Sequence, residues 1–353
     1  MEEKFNLPQK SIYGCSFDTN LDNFDNIAIE YVGNRISYLD LFVKVEEVSK
    51  SLLKMGIKNG DVVSICLPPI PEAFYIFLAL NKIGATLNII DPSIDTDKIE
   101  TKLNDTNSKM IIYLDVLYAK LVNIFNTLDI DNIVSIPLSN SFHPIVKAIC
   151  DLKDSIENIG KSKAICDREI INWDSFIKKG IDYKEEPIKI EDEINNPCVI
   201  IYEDGKRIDL TNYDLLLKVY QNRVSNMKWL KKDTFLGIMS LSNIESYVLS
   251  LCNGLKIDLE PTAMINKLDE YVLRYKPNHI LCNKLFLNSF IKSKRINNRD
   301  LSFIKTFILS DTVPPLNEEL INLLLLKHHS EARVSNDFAI EPLNQEKLND
   351  PKI

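Results

Sequence analysis

Short, nearly unbroken apolar runs alternating with stretches of helical spacing constrain this chain more than any other feature. Residues 62–67, 85–90, 110–113, 133–136, 235–239, 279–282 and 306–309 are such runs. A strand apolar on both faces has no solvent side, so it belongs in a parallel sheet with helices over both faces. The alternation therefore predicts an α/β fold. Helices are expected over 38–55 (closed by Gly56), 68–83, 96–104, 116–128, 213–230, 245–255, 267–275, 286–293 and 316–328. Residues 27–37 read as a hairpin turning on Gly33-Asn34. Residues 139–190 are polar, carry Trp173 and Phe176 as isolated anchors, and read as a surface excursion or connector.

Length and charge narrow the function classes. A chain of 353 residues buries a sizeable core. Net charge is −8, and the densest basic stretch, Lys292-Ser-Lys-Arg295, is a solvated helix end, so no nucleic-acid surface is expected. The longest apolar runs, 73–80 and 320–326, are too short for a membrane span, and the acidic N-terminus has no signal-peptide core. Seven scattered cysteines without a CxxC pair fit a reducing cytoplasm. Ten glycines are few, under half the usual share of about 7%. Glycine is what lets backbone N–H groups close on a phosphate, so little of the chain is suited to that task. Adjacent His328 and His329 do not share a helix face and make no metal site.

One segment bears directly on chemistry. The apolar run 199–202 ends at Tyr202 and passes into Glu203-Asp-Gly-Lys-Arg207, ahead of a helix from Tyr213. Two acids lead this loop, and carboxylates repel polyphosphate at close range. A tight strand–strand or strand–helix turn is the plain reading.

Three further segments give the chain a resemblance. Ile36-Ser-Tyr-Leu-Asp-Leu41, Gly56-Ile-Lys-Asn-Gly-Asp-Val-Val-Ser-Ile65 and Lys82-Ile-Gly-Ala-Thr-Leu-Asn-Ile-Ile-Asp-Pro92 follow one another in an order and spacing similar to those of the AMP-forming acyl-CoA synthetases. That adenylate-forming superfamily also includes peptide-synthetase adenylation domains and luciferase. The resemblance covers about residues 22–341 and implies two stacked, mostly parallel sheets flanked by helices, as in the large N-terminal domain of those enzymes. It implies one lobe from residues 1–60 with 210–341, a second from 61–209, and a polar tail at 342–353. It also implies ATP with magnesium and CoA as cofactors, and a small carboxylic acid as ligand.

The departures from the pattern fall where the family does chemistry. Its Ser/Thr/Gly-rich phosphate loop ending in Pro-Lys-Gly is shortened here, leaving Tyr202, Gly205 and Lys206 as nucleotide-binding remnants. The histidine bordering the acyl pocket is Asn243, and Met239, Asn243 and Cys282 are the expected lining of a shallow acyl or aromatic pocket. The motif that sets an aromatic on adenine and a glutamate on magnesium aligns with Asp337-Phe-Ala-Ile-Glu341, which leaves Phe338 and Glu341 as remnants. The lysine-bearing C-terminal domain and the small barrel have no counterpart in the sequence. The expectation is a truncated, catalytically impaired relative with no confident catalytic residue, acting as a binding or scaffold protein. The alternative is an active carboxylic acid–CoA ligase or adenylating enzyme, completed by a separate C-terminal chain.

Overall fold

The computed structural model describes residues 7–148, 166–184, 188–224, 229–260, 267–296, 299–310 and 333–336. The apolar runs become strands of two seven-stranded sheets. The first sheet has the order β14-β13-β12-β10-β11-β1-β2, and the second β7-β6-β5-β3-β4-β8-β9. In the first sheet, β1 is Ile27–Tyr31, β2 Asn34–Ser37, β10 Thr234–Gly237, β11 Lys256–Leu259, β12 His279–Cys282, β13 Thr306–Leu309 and β14 Arg333–Asn336. In the second, β3 is Val62–Cys66, β4 Thr86–Ile90, β5 Met110–Leu114, β6 Asn132–Ile136, β7 Ile170–Asn172, β8 Pro197–Glu203 and β9 Lys206–Thr211. Neighbours run parallel except at one edge of each sheet, where β1/β2 and β8/β9 close as antiparallel hairpins.

The helices are α1 Ile12–Asn20, α2 Tyr38–Lys54, α3 Pro71–Lys82, α4 Thr96–Asn104, α5 Tyr118–Thr127, α6 Trp173–Ile181, α7 Asn212–Val224, α8 Ile244–Cys252, α9 Leu268–Tyr275 and α10 Lys284–Lys292. Local chemistry sets their ends. Ser37 and Asp40 form a reciprocal capping box at the start of α2, and Gly56 follows its end at φ +84°. Pro71 opens α3, where its missing N–H has no intrahelical partner to lose. Every residue of α3 is buried. Its stretch from Ala73 to Leu80 carries no charged residue on any side, as befits a helix inside a core. It packs with α8 in one large cluster that includes Val63 and Ile89 of the second sheet and Phe235 and Ile257 of the first. The Phe74 and Tyr247 rings meet there edge to face, 5.3 Å apart. Helices α9 and α10 cover the outer face of the first sheet, and α4 and α5 that of the second.

Several of the polar groups inside this core are tied to one another. Asn81 of α3 accepts from the Tyr13 N–H at 2.8 Å and donates to Asn212 Oδ1 at 2.8 Å. The same Asn212 oxygen accepts from the Ile12 N–H, so three helices are joined through two amides. Ser64, Asn88, Thr106 and Ser108 form a second buried hydrogen-bonded group. Asp258, in the middle of β11, is not so well served. It is fully buried, with Lys256 Nζ 2.8 Å from Oδ1, yet neither oxygen has a hydrogen bond of good geometry. Lys256 is shared with Glu30 at 3.2 Å, and Arg35 pairs with Glu30 in turn. Burial pushes the Asp258 carboxyl up to about 7, against the pull of Lys256.

Two sequence expectations change. Part of 139–190 is not a surface connector: β7 adds an edge strand to the second sheet, and α6 buries Trp173 and Phe176 against α2. The first hairpin turns on Val32-Gly33, at φ +45° and +76°, while Asn34 already pairs with Tyr31 and donates to the Ser141 carbonyl. The helix expected over 316–328 lies outside the described residues.

Candidate functional site

In an open α/β sheet, ligands bind beyond the carboxyl ends of the strands, where the strand order reverses. In the second sheet the order reverses around β3, flanked by β5 and β4; in the first it reverses around β10, flanked by β12 and β11. The chain leaving β4 begins with Asp91, and the chain leaving β10 runs through Met239 and Ser240 into the 3₁₀ turn Leu241–Asn243. β4 contacts that turn directly, so the two reversal points face one another across a seam.

Asp91 is the pivot of the seam. Its Oδ1 accepts from the Ser93 N–H at 2.8 Å and the Ser93 hydroxyl at 2.6 Å, and Ser240 donates from the other sheet. Burial pushes this carboxyl up, but the donors from Ser93 and Ser240 outweigh it and hold it below the ordinary value. Lys102, in the last turn of α4, lays its ammonium 4.3 Å from the centre of the Tyr202 ring. Desolvation lowers its pKa and Lys98 adds to that, while Asp91 opposes.

Tyr202 sits near the end of β8, where the shortened loop begins. The structure makes that loop a two-residue turn. Glu203 pairs with Lys206 and Tyr202 with Arg207, leaving only Asp204 and Gly205 between them, at φ +49° and +78°. Positive φ at both central residues is the geometry of a type I′ turn, and Asp-Gly is a favoured pair for it. Glu203, Asp204, Gly205 and Lys206 are all exposed. The turn is braced against α4: the Tyr202 hydroxyl donates to the Lys102 carbonyl at 3.2 Å. Arg207 grips Asp209 through two nitrogens, at 2.7 and 3.1 Å, and donates to the Asp105 carbonyl. Its guanidinium is thus already committed.

The three acyl-pocket candidates have different surroundings. Met239 is partly buried and touches both the inner core and the outer core of the first sheet. Asn243 turns its amide back to the Ser240 carbonyl at 3.2 Å. Cys282 is fully buried in the outer core under α9 and α10. Tyr247, itself in the inner core, donates its hydroxyl to the Met239 carbonyl at 2.6 Å. A Cβ on Gly237 would come within 2.6 Å of the Tyr247 ring, so glycine there is what admits the phenol. Phe338 and Glu341 lie outside the described residues. Among the described residues no group of three or more His, Cys, Asp or Glu is arranged to hold a metal ion, and no helix is long and apolar enough to cross a membrane.

Sequence reasoning gave no site role to Asp91, Lys102 or Ser240. Asp91-Pro92 reads as a helix-entry turn, which it also is. Its position directly after a buried, largely apolar strand was the signal that it stands at a carboxyl edge.

Comparison with known proteins gives the family and the fold. A protein-family model described as AMP-binding enzyme matches residues 18–322. Acetyl-coenzyme A synthetase of Penicillium chrysogenum is 36% identical over 109 residues, 29% of this chain and 16% of that protein. Probable 4-coumarate–CoA ligase 1 of Dictyostelium discoideum is 23% identical over 293 residues, covering 79% of this chain and 50% of that protein. The chain therefore spans half or less of the length of these two relatives. The crystal structure of the anthranilate CoA ligase AuaEII in complex with anthranoyl-AMP superposes with a TM-score of 0.76 at 14% identity, over 95% of this chain and 62% of that one. The N-terminal domain of FACL13 from Mycobacterium tuberculosis gives 0.68 at 16% identity, over 92% and 74%. At such identities the structural likeness establishes the fold.

Proposed function

This chain belongs to the AMP-binding enzyme family, and we propose that it retains the ligase scaffold while having lost the hold on ATP phosphates at the turn after Tyr202. It is an AMP-forming acyl- or aryl-CoA ligase-like protein. The proposal concerns its chemistry: by itself it does not adenylate an acid, and it serves as a binding or scaffold protein for a small carboxylic acid.

The observation that carries this reading is the two-residue turn Asp204-Gly205, closed by the Glu203–Lys206 pair. A phosphate cradle needs several backbone N–H groups converging on one point. A type I′ turn spends its backbone on the hairpin, and the side chains flanking this one are acidic. Each charge-assisted hydrogen bond to phosphate contributes about 1.5–3 kcal/mol. Losing two or three costs about 4–7 kcal/mol, or about 10³- to 10⁵-fold in ATP binding. The residues of this turn do not fit a triphosphate with its magnesium.

The division into lobes of residues 1–60 with 210–341 and of 61–209 is supported by strand membership, since β1, β2 and β10–β14 share one sheet and β3–β9 the other. A cytoplasmic location is supported by the scattered cysteines of the sequence.

ATP–pyrophosphate exchange with acetate, medium-chain and aromatic acids tests the proposal. No exchange above a protein-free blank is expected, and neither is a saturable rise in Tm with ATP-Mg. Exchange above the blank with any of these acids would end it.

A further inference from the structure

We propose that His279 is a proton-operated fastener for the linker that carries the chain from the second sheet back to the first, holding Trp229 while the imidazole is neutral and releasing it in acid. No nucleotide or acid ligand takes part, so the device is independent of the reading of the Asp204-Gly205 turn.

The chain leaves the second sheet at β9, runs through α7 and re-enters the first sheet at β10. Residues 229–233 complete that crossing at the amino edge of the first sheet. Two side chains pin them there. The Trp229 ring lies against the His279 ring, with centroids 3.9 Å apart and 31° between the planes. Asp233 gathers the edge together. His279 Nε2, at the start of β12, donates to Asp233 Oδ2 at 3.1 Å. Lys305 Nζ, just ahead of β13, reaches Oδ1 at 2.7 Å and Oδ2 at 2.9 Å. The Leu230 N–H also donates to Oδ2, at 3.0 Å, and the Asp233 carbonyl accepts from the Lys256 N–H of β11.

The balance of charge decides what a proton does here. His279 is only 1% exposed. The charged groups acting on it are Asp233 and Lys305. On the linker itself, Lys231 is paired with Asp22 and Lys232 is exposed. Lys305 already offsets the single negative charge of Asp233, so an imidazolium adds a second cation to a pair that is neutral without it. Trp229, itself partly exposed, covers one face of the imidazole, and moving it aside is the route by which the charged ring regains water. The indole face returns some cation–π attraction, which opposes the release. Burial lowers the pKa of His279 from 6.5, Asp233 pulls it back, and Lys305 adds to the lowering. The fastening is therefore complete above pH 6.5 and is lost as the pH falls below it. The released fraction grows at most about tenfold for each pH unit.

The test follows the fluorescence of Trp229 in the full chain between pH 8 and pH 5. Trp173 is the other tryptophan of the sequence, and Trp173→Phe leaves Trp229 as the sole reporter. Far-UV circular dichroism at each pH shows whether the sheets remain folded. The expected result is a red shift of the emission maximum that begins below pH 6.5 while the far-UV signal stays constant. His279→Phe keeps a ring beneath Trp229 and cannot titrate, so its emission should stay blue throughout. Lys305→Met leaves Asp233 free to balance the imidazolium, so removing this salt bridge should abolish the red shift or move it down by about one pH unit. An unshifted maximum, with or without a change in intensity, means that the imidazolium is held in place, and overturns the fastener. A red shift that coincides with loss of the far-UV signal, or that persists unchanged in Lys305→Met, overturns it as well. If His279→Phe does not fold, the comparison with Lys305→Met decides alone.

Discussion

Replacing Asp258 by asparagine should make the protein more stable at pH 8 than the parent, and the gain should shrink as the pH falls. Asp258 is fully buried and ionises in the folded protein near 7, against 3.8 for an ordinary aspartate. The folded state therefore holds this proton more tightly than the unfolded chain does. Stability from the protonated carboxyl is complete below pH 3.8 and is lost as the pH rises to about 7. At about 1.4 kcal/mol for each pH unit between those limits, the full loss is about 4 kcal/mol. Between pH 5 and pH 8 it is about 2.5 kcal/mol. An asparagine amide does not titrate, so unfolding free energies from urea curves at pH 5 and pH 8 should draw together in the variant by that amount. The Lys256 contact at 2.8 Å opposes the effect. If Asp258→Asn instead destabilises the protein equally at both pH values, Lys256 keeps the carboxylate ionised throughout and the reasoning is wrong.

Three other substitutions probe the architecture. Phe176→Ala should cost about 3–5 kcal/mol in urea unfolding, as for a core phenylalanine, although its sequence context is polar; a cost under about 0.5 kcal/mol, the usual range for a surface site, would return α6 to the surface. Gly237→Ala should cost about 1–3 kcal/mol by overpacking against Tyr247, and Gly237→Ala combined with Tyr247→Leu should recover part of it; no recovery in the double variant would mean that the clash lies elsewhere. Gly205→Ala should cost about 1 kcal/mol, because φ +78° is unfavourable for alanine while the space around it is open, and a stabilised variant would show that the turn changes type.

The parallel sheets were legible in the sequence because their strands are buried on both faces and so need no polar alternation. The strands overlooked are those whose burial the sequence disguises. β11 carries Lys256 and Asp258 among four residues, and its buried charges read as loop. β9 alternates charge with Ile208 and Leu210 at an exposed edge. β7 is three residues long, and α6 offers only Trp173 and Phe176 as large aromatic anchors. The tight turn after Tyr202 was readable from Asp204-Gly205 because its chemistry is local. The seam was not, since Asp91 and Ser240 come together only after both sheets have formed, and no local spacing encodes their meeting. The same holds for Lys102, whose place over Tyr202 depends on how the β8/β9 hairpin lies on α4.

The strand order of the first sheet also governs the birth of the protein on the ribosome. Ile29 of β1 lies alongside Ile257 of β11, a neighbour that is translated about 230 residues later, which at about 5–20 residues per second is a wait of roughly 10–45 s. Throughout that interval the β1/β2 ribbon has an open edge, and α3 has no first sheet to shelter it. Nascent chains halted before β11 should therefore be sticky and protease-sensitive, and holdase chaperones should engage the chain most strongly in that window.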